Sequence, residues 1–253
     1  MTPRESSIGA LIGRAHLELE APGATGGVPR IVPRARPEHP AQPIRLPDLT
    51  GEARDEIRAR LKRCRITFLV DDSGSMYGAW GDPTGVRYAA ALSVLGPMQR
   101  GGGGRAAVLH WGTEAPDELA LAPVDVRRGR RLLRKALTVP PTLGGNDLPK
   151  ALRAALVLTG APDEDEQPLT VVLTDGIESV TPAMHAAVAA HPPGSVHMLL
   201  VDRSGGCSEE MERDWRTVAF GSFTRLRTFD TAAMAHQIGE ALADALGLQM
   251  PGA

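Results

Sequence analysis

Cysteine, aromatic residues and long apolar runs are all scarce in this chain. Cys64 and Cys207 are the only two cysteines in 253 residues. That excludes a disulfide framework, and their isolation excludes a cysteine-based metal site. Aromatic side chains make up 4% of the sequence, so few rings are available for stacking on nucleic-acid bases. No apolar stretch approaches the roughly 20 residues of a membrane helix. The first 20 residues carry Arg14, Glu18 and Glu20 where a signal peptide would need an unbroken apolar core. Excess positive charge is missing too. The formal net charge is −2 and the pI near 6.4, which disfavours a nucleic-acid binder that works by bulk charge. These absences predict a soluble protein of a reducing compartment, and the expected location is the cytoplasm.

What is present is organised in two parts. Between Pro22 and Pro47 fall seven prolines together with Gly23, Gly26 and Gly27. Proline fixes φ and removes a donor, so neither helix nor central strand forms there. Residues 1–49 therefore read as an N-terminal segment and an extended, polyproline-like arm. Arg30, Arg34, Arg36 and Arg45 make the arm locally basic. Residues 50–253 read as one regular domain.

Within that domain strands and helices alternate. The spacing predicts a helix over 51–63, with Ala53, Ile57 and Leu61 as its apolar stripe. Acidic residues lie early and basic ones late in it, in agreement with the helix dipole. Ile66–Val70 is a short apolar strand of the kind buried on both faces. Asp82 and Pro83 predict a helix start as N-cap and first residue. Further strands are expected at 106–111, 119–124, 169–174, 195–201 and 223–229. Further helices are expected at 127–137, 148–158, 181–190, 209–219 and 231–248. Such alternation predicts an α/β fold, a doubly wound and mostly parallel open sheet with helices on both faces.

The chemistry sits at two strand ends. Asp71-Asp72-Ser73-Gly74-Ser75 follows one apolar strand, and Asp175, in the run VVLTDG, follows another. In an open α/β sheet, ligands bind beyond the carboxyl ends of strands where the winding reverses. If those two strands are neighbours, Asp71 and Asp175 face one crevice. Gly74 lets the loop turn, so that Ser73 and Ser75 aim their hydroxyls at the same point. Carboxylate and hydroxyl oxygens suit Mg²⁺, and Mn²⁺ by the same ligand logic.

Asp71, Ser73 and Ser75 resemble the D-x-S-x-S signature of the von Willebrand factor A domain, whose metal centre is the metal-ion-dependent adhesion site. The resemblance covers residues 64–248 and implies a Rossmann-like sheet with one divalent cation. The cation is held by the two serines, a threonine of a later loop and an aspartate after a further strand. Asp175 matches that aspartate. The later loop corresponds to Leu143-Gly144-Gly145-Asn146-Asp147, with Asn146 at the threonine's place, where an amide oxygen can still coordinate. The implied metal set is Asp71, Ser73, Ser75, Asn146 and Asp175. The 25 arginines against three lysines suit a GC-rich bacterial genome, and the resemblance is to the intracellular bacterial type.

Other groups receive plainer readings. Asp72 and Asp147 are expected to be solvated or to hydrogen-bond beside the site. Asp163–Glu166 lacks the glycine and terminal glutamate of a calcium loop and is expected to be a solvated turn. Gly101–Gly104 has no following Lys-Ser/Thr and is no phosphate loop. His110 and Trp111 are expected to pack at a strand end, and Cys64 to be buried and inert.

Five protein ligands leave a coordination position open. The resemblance implies that a partner's Asp or Glu carboxylate takes it. The expected function is a non-enzymatic, cation-dependent protein-interaction module. The partner would be an AAA+ ATPase or another component of a stress-response or defence assembly, with no membrane contact. A metal-dependent hydrolase is the alternative, but it needs a general base, and the metal loops carry no His, Lys or Arg. Nucleic-acid binding through the arm's arginines is the third class, disfavoured by the missing aromatics.

Overall fold

The structure is a computed structural model. It describes residues 52–77, 81–82, 84–112, 117–138, 145–176, 178–202 and 207–247. The proline-rich arm and the first 20 residues lie outside the described residues. In chain order the elements are α1 (Glu52–Arg63), β1 (Cys64–Asp71), a 3₁₀ turn (Gly74–Tyr77), α2 (Val86–Gly101), β2 (Arg105–Trp111), β3 (Asp117–Pro123), α3 (Arg127–Ala136), α4 (Leu148–Thr159), β4 (Gln167–Thr174), α5 (Pro182–Ala189), β5 (Val196–Val201), α6 (Glu209–Trp215), β6 (Ser222–Leu226) and α7 (Thr231–Ala245). The six strands form one sheet in the order β3-β2-β1-β4-β5-β6. All neighbours are parallel except β3, which runs antiparallel to β2.

Strand β1 is buried at all eight positions, because both faces of the sheet are covered. Its side chains alternate between two cores. Ile66, Phe68 and Val70 join Leu61 of α1, Val94, Leu95 and Met98 of α2, and Met234, Ile238 and Leu242 of α7. Leu69 points the other way, into Leu148 and Leu152 of α4, Met184 and Val188 of α5, and Trp215 of α6. Each fully buried aliphatic side chain contributes about 1.5–3 kcal/mol, which makes the central strands the best anchored part of the sheet. Among the described residues no helix is long and apolar enough to cross a membrane.

Most helix starts follow their local sequence. Asp147, Thr181, Ser208 and Asp230 cap α4, α5, α6 and α7 by accepting backbone N–H groups three residues on. The start of α2 differs from the expectation. The helix begins at Val86, after Gly85 in the left-handed region (φ 77). Asp82 still caps it, but from four and five residues away. Its carboxylate accepts the N–H groups of Val86 (2.8 Å) and Arg87 (2.9 Å). Helix α6 and strand β6 are shorter than the sequence suggests, ending at Trp215 and Leu226.

Candidate metal centre at the sheet's switch point

Strands β1 and β4 are parallel neighbours, with Val70 opposite Leu173. From β1 the chain continues into α2 on one face, whereas it reaches β4 from α4 on the other. The winding therefore reverses between β1 and β4, and their carboxyl ends open a crevice at that point. Asp71 ends β1 and Asp175 directly follows β4.

Asp71 is fully buried. Its Oδ1 accepts the N–H of Ser73 (2.7 Å), and its Oδ2 accepts the hydroxyl of Thr174 (2.5 Å). The Ser73 and Ser75 hydroxyls stand 2.9 Å apart, brought together by the 3₁₀ turn. Burial pushes the Asp71 carboxyl up, and the negative charge of Asp175 pushes it further, to about 7. The Thr174 and Ser73 hydrogen bonds pull the other way without cancelling this. Two carboxylates thus share one crevice at an electrostatic cost, which a cation between them relieves.

Thr174 links the two strand ends. While donating to Asp71 it accepts the N–H of Gly176 at 3.0 Å. Gly176 sits at φ 71, and a Cβ there would lie 1.8 Å from Leu200 Cδ1. Only glycine lets the chain turn away from β4 so tightly after Asp175. Asn146 arrives by the third loop, next to Asp147, the N-cap of α4. That loop is tied to the one after β4, because Glu178 Oε2 accepts the N–H of Leu148 at 3.1 Å. Burial and the nearby Asp147 hold the Glu178 carboxyl above its ordinary range, against the opposing Leu148 hydrogen bond. Sequence reasoning overlooked Thr174 and Glu178. For Thr174 there was a signal, a hydroxyl immediately before the aspartate in VVLTDG.

Of the two roles expected for Asp72, solvated or hydrogen-bonding beside the site, the structure shows the second. Asp72 is fully buried and points away from Asp71's partners into a polar cage. Arg87 Nη2 donates to its Oδ1 at 2.5 Å, the Tyr88 hydroxyl donates to the same oxygen, and His110 Nδ1 lies 2.5 Å from Oδ2. Burial pushes the Asp72 carboxyl up, but Arg87, His110 and Tyr88 outweigh it and hold it at about 2. Arg87, itself fully buried, also bonds Asp82 through Nη1. His110 Nε2 reaches the carbonyl of Ala136 at 2.7 Å. One buried network therefore clamps the end of β1, the start of α2, the end of β2 and the end of α3. The sequence signal was an arginine at the head of the otherwise apolar run VRYAAALSVLGPM.

The remaining readings are mixed. Cys64 is buried, and burial pushes its thiol up to about 12, which makes it inert. Asp163, Glu164 and Asp165 are exposed. Glu166 is not merely solvated, because it pairs with Arg65 at 2.9 Å and with Arg105. Among the described residues no group of three or more His, Cys, Asp or Glu side chains gathers in metal-binding range. A cation in this crevice would therefore need hydroxyl and amide oxygens beside the two carboxylates. Asp71, Ser73, Ser75, Asn146 and Asp175 supply that hard, oxygen-only set, which fits Mg²⁺ or Mn²⁺.

The fold is shared with solved structures of low sequence identity. The pilus adhesin SpaC from Lactobacillus rhamnosus GG matches at TM-score 0.58 and 15% identity, over 72% of this chain and 31% of the adhesin. A von Willebrand factor type A structure from Catenulispora acidiphila matches at TM-score 0.56 and 19% identity, over 74% of this chain and 43% of that one. The conserved hypothetical protein BatB from Bacteroides thetaiotaomicron matches at TM-score 0.54 and 16% identity, over 73% of this chain and 99% of BatB. This chain thus spans less than half of the first two. No protein-family model matches the sequence, and no curated protein matches it. The likeness is one of fold, and the fold is that of the von Willebrand factor A domain.

Proposed function

We propose that this chain is a cation-dependent protein-interaction module. Asp71, Ser73, Ser75, Asn146 and Asp175 hold one Mg²⁺ or Mn²⁺, and a partner's Asp or Glu side chain docks there. The observation that carries this reading is the confrontation of Asp71 with Asp175 across the β1/β4 crevice, beside two serine hydroxyls 2.9 Å apart. When bound, the cation supplies an electropositive point with a coordination position open to a carboxylate oxygen.

The chain's own residues prepare that point. Ser73 N–H and the Thr174 hydroxyl occupy one lone pair on each Asp71 oxygen, so the carboxylate cannot rotate away. Glu178 holds the Asn146 loop against the Asp175 loop. The Asp72–Arg87 network keeps β1 from fraying beneath them. On this proposal residues 50–253 form the module and residues 1–49 a separate arm. The partner is a cytoplasmic protein, an AAA+ ATPase or another component of a bacterial stress-response or defence assembly, as the motif resemblance implies.

Calorimetric titration with Mn²⁺ tests the centre. Wild type is expected to bind one ion per chain, and Asp71→Ala to bind none while keeping its circular dichroism spectrum. Equal binding by both proteins would overturn the assignment. Capture of partners from native lysate, with and without EDTA, then tests the docking step. A partner retained equally in EDTA does not use the cation.

A further inference from the structure

Helix α3 carries a surface that the crevice does not explain. Arg127, Arg128, Arg130, Arg131, Arg134 and Lys135 put six cations in its ten residues, with no acidic residue among them. Gly129, Leu133 and Ala136 form its buried stripe. At 100° per residue the six cations spread over an arc of about 160° centred opposite that stripe, and along about 12 Å of axis. All are exposed except Arg130, which is half-buried. Among the described residues none of the six side chains forms a hydrogen bond or an ion pair, whereas Arg60, Arg65, Arg87, Arg105, Arg216 and Arg225 all do.

Folding gives no reason for this arrangement. Arg127 and Arg128 occupy the first turn, where the helix dipole disfavours positive charge. Arg131 has like-charged neighbours three or four residues away on both sides, each of which opposes the helix. The face also has apolar flanks. Val126, at the N-cap, is 50% exposed, and Leu132, beside Arg128 on the wheel, is 37% exposed. They are two of the three exposed large hydrophobic residues among those described.

We propose that the outer face of α3 is a docking surface for an acidic protein segment that also carries apolar side chains. It is a second interaction site, separate from the crevice. Arginine forks pair with carboxylates bidentately, and Leu132 and Val126 give the segment's apolar side chains something to cover. A nucleic-acid duplex would satisfy the arginines but not the apolar flanks, and the chain's net charge of −2 provides no wider field to attract it. A lipid surface needs a free apolar helix face, and the apolar face of α3 is spent on the core.

The test is fluorescence anisotropy with a short labelled synthetic peptide of alternating glutamate and leucine, with random-sequence duplex DNA as a second probe. Measured in EDTA, where the crevice holds no cation, wild type is expected to bind the peptide and Asp71→Ala to bind it like wild type. This separates the surface from the crevice. Arg127→Glu/Arg131→Glu/Arg134→Glu is expected to weaken binding about tenfold or more, and Arg131→Glu alone by about threefold. Leu132→Ser, which leaves charge unchanged, is expected to weaken it about threefold, and Arg127→Lys/Arg131→Lys/Arg134→Lys, which keeps the charge but loses the forks, to weaken it by less than the Glu triple. Circular dichroism checks that each variant folds, and the two single variants carry the test if the triple reversal does not. Indifference to Arg131→Glu and Leu132→Ser would overturn the proposal, as would no peptide binding at all. Tighter binding of the duplex than of the peptide would assign the face to nucleic acid instead.

Discussion

Arg87→Met is the most informative perturbation of the framework beneath the crevice. Methionine keeps most of the side-chain volume and removes the guanidinium. Arg87 and Asp72 both have side chains 0% exposed, with Nη2 and Oδ1 2.5 Å apart. Asp82, at 2.9 Å from Nη1, is equally buried. The substitution takes the guanidinium away from Asp72, while Tyr88 and His110 stay in place. Removing one partner of a buried pair strands the other's charge and costs about 3–5 kcal/mol. For a domain of this size each kcal/mol lowers Tm by about 2–4 °C, so a fall of about 6–20 °C is expected. Urea unfolding in metal-free buffer measures the free energy directly. Adding Asp72→Asn removes the stranded charge, and Arg87→Met/Asp72→Asn should recover about 2 kcal/mol of the loss, a coupling typical of side chains in one network. If Arg87→Met costs less than about 1 kcal/mol, or if the two changes simply add, the network does not clamp the strand ends as described.

Three other outcomes are expected. Asp71→Asn should stabilise the metal-free protein at pH 8 while abolishing stabilisation by Mg²⁺. Burial and Asp175 hold the folded carboxyl at about 7, so its favourable contribution is complete only below the unfolded value and is lost as pH rises through about 7. The gain in EDTA is at most about 4 kcal/mol, and a variant less stable than wild type in EDTA would refute the repulsion argument. Asn146→Thr should keep or strengthen Mn²⁺ binding and Asn146→Leu weaken it, and equal affinities by calorimetry would exclude this loop from coordination. Glu166→Gln should cost about 1.5–3 kcal/mol at neutral pH. Burial pushes that carboxyl up, but the Asp163 N–H and the guanidinium groups of Arg105 and Arg65 hold it below the ordinary range. Its stabilisation is therefore present above the unfolded value and lost as pH falls through the folded one. An acid-unfolding series in which the gap between variant and wild type does not shrink at low pH would contradict this.

The strands and loops of the crevice could be read locally, because their signals are local. An unbroken apolar run such as Ile66–Val70 suits only a strand covered on both faces. An aspartate directly after it belongs to the sheet's carboxyl edge. The same logic placed Asp175. The caps of α4 to α7 carry an equally local signal, since each lies three residues from the N–H it accepts, although none of the four was read as a cap. The start of α2 was misread because its cap is not local. Asp82 reaches past Gly85 to Val86 and Arg87, and it is oriented by a guanidinium that has to be buried first.

Taken alone, the sequence determined the alternation of strands and helices and the position of Asp71, Ser73, Ser75 and Asp175 just beyond two strands, since both follow from residue periodicity and from residues adjacent in the chain, whereas Asn146 was reached only through the motif resemblance. Only the tertiary structure decided that β1 and β4 are neighbours, so that Asp71 and Asp175 oppose one another from 104 positions apart, given by 175 minus 71. It alone decided that Asp72 is not a solvated neighbour of the site but the centre of a buried cage, with partners 15, 16 and 38 residues away. An aspartate is exposed or buried according to the charges that the fold brings to it, and distance along the chain carries no record of which those are.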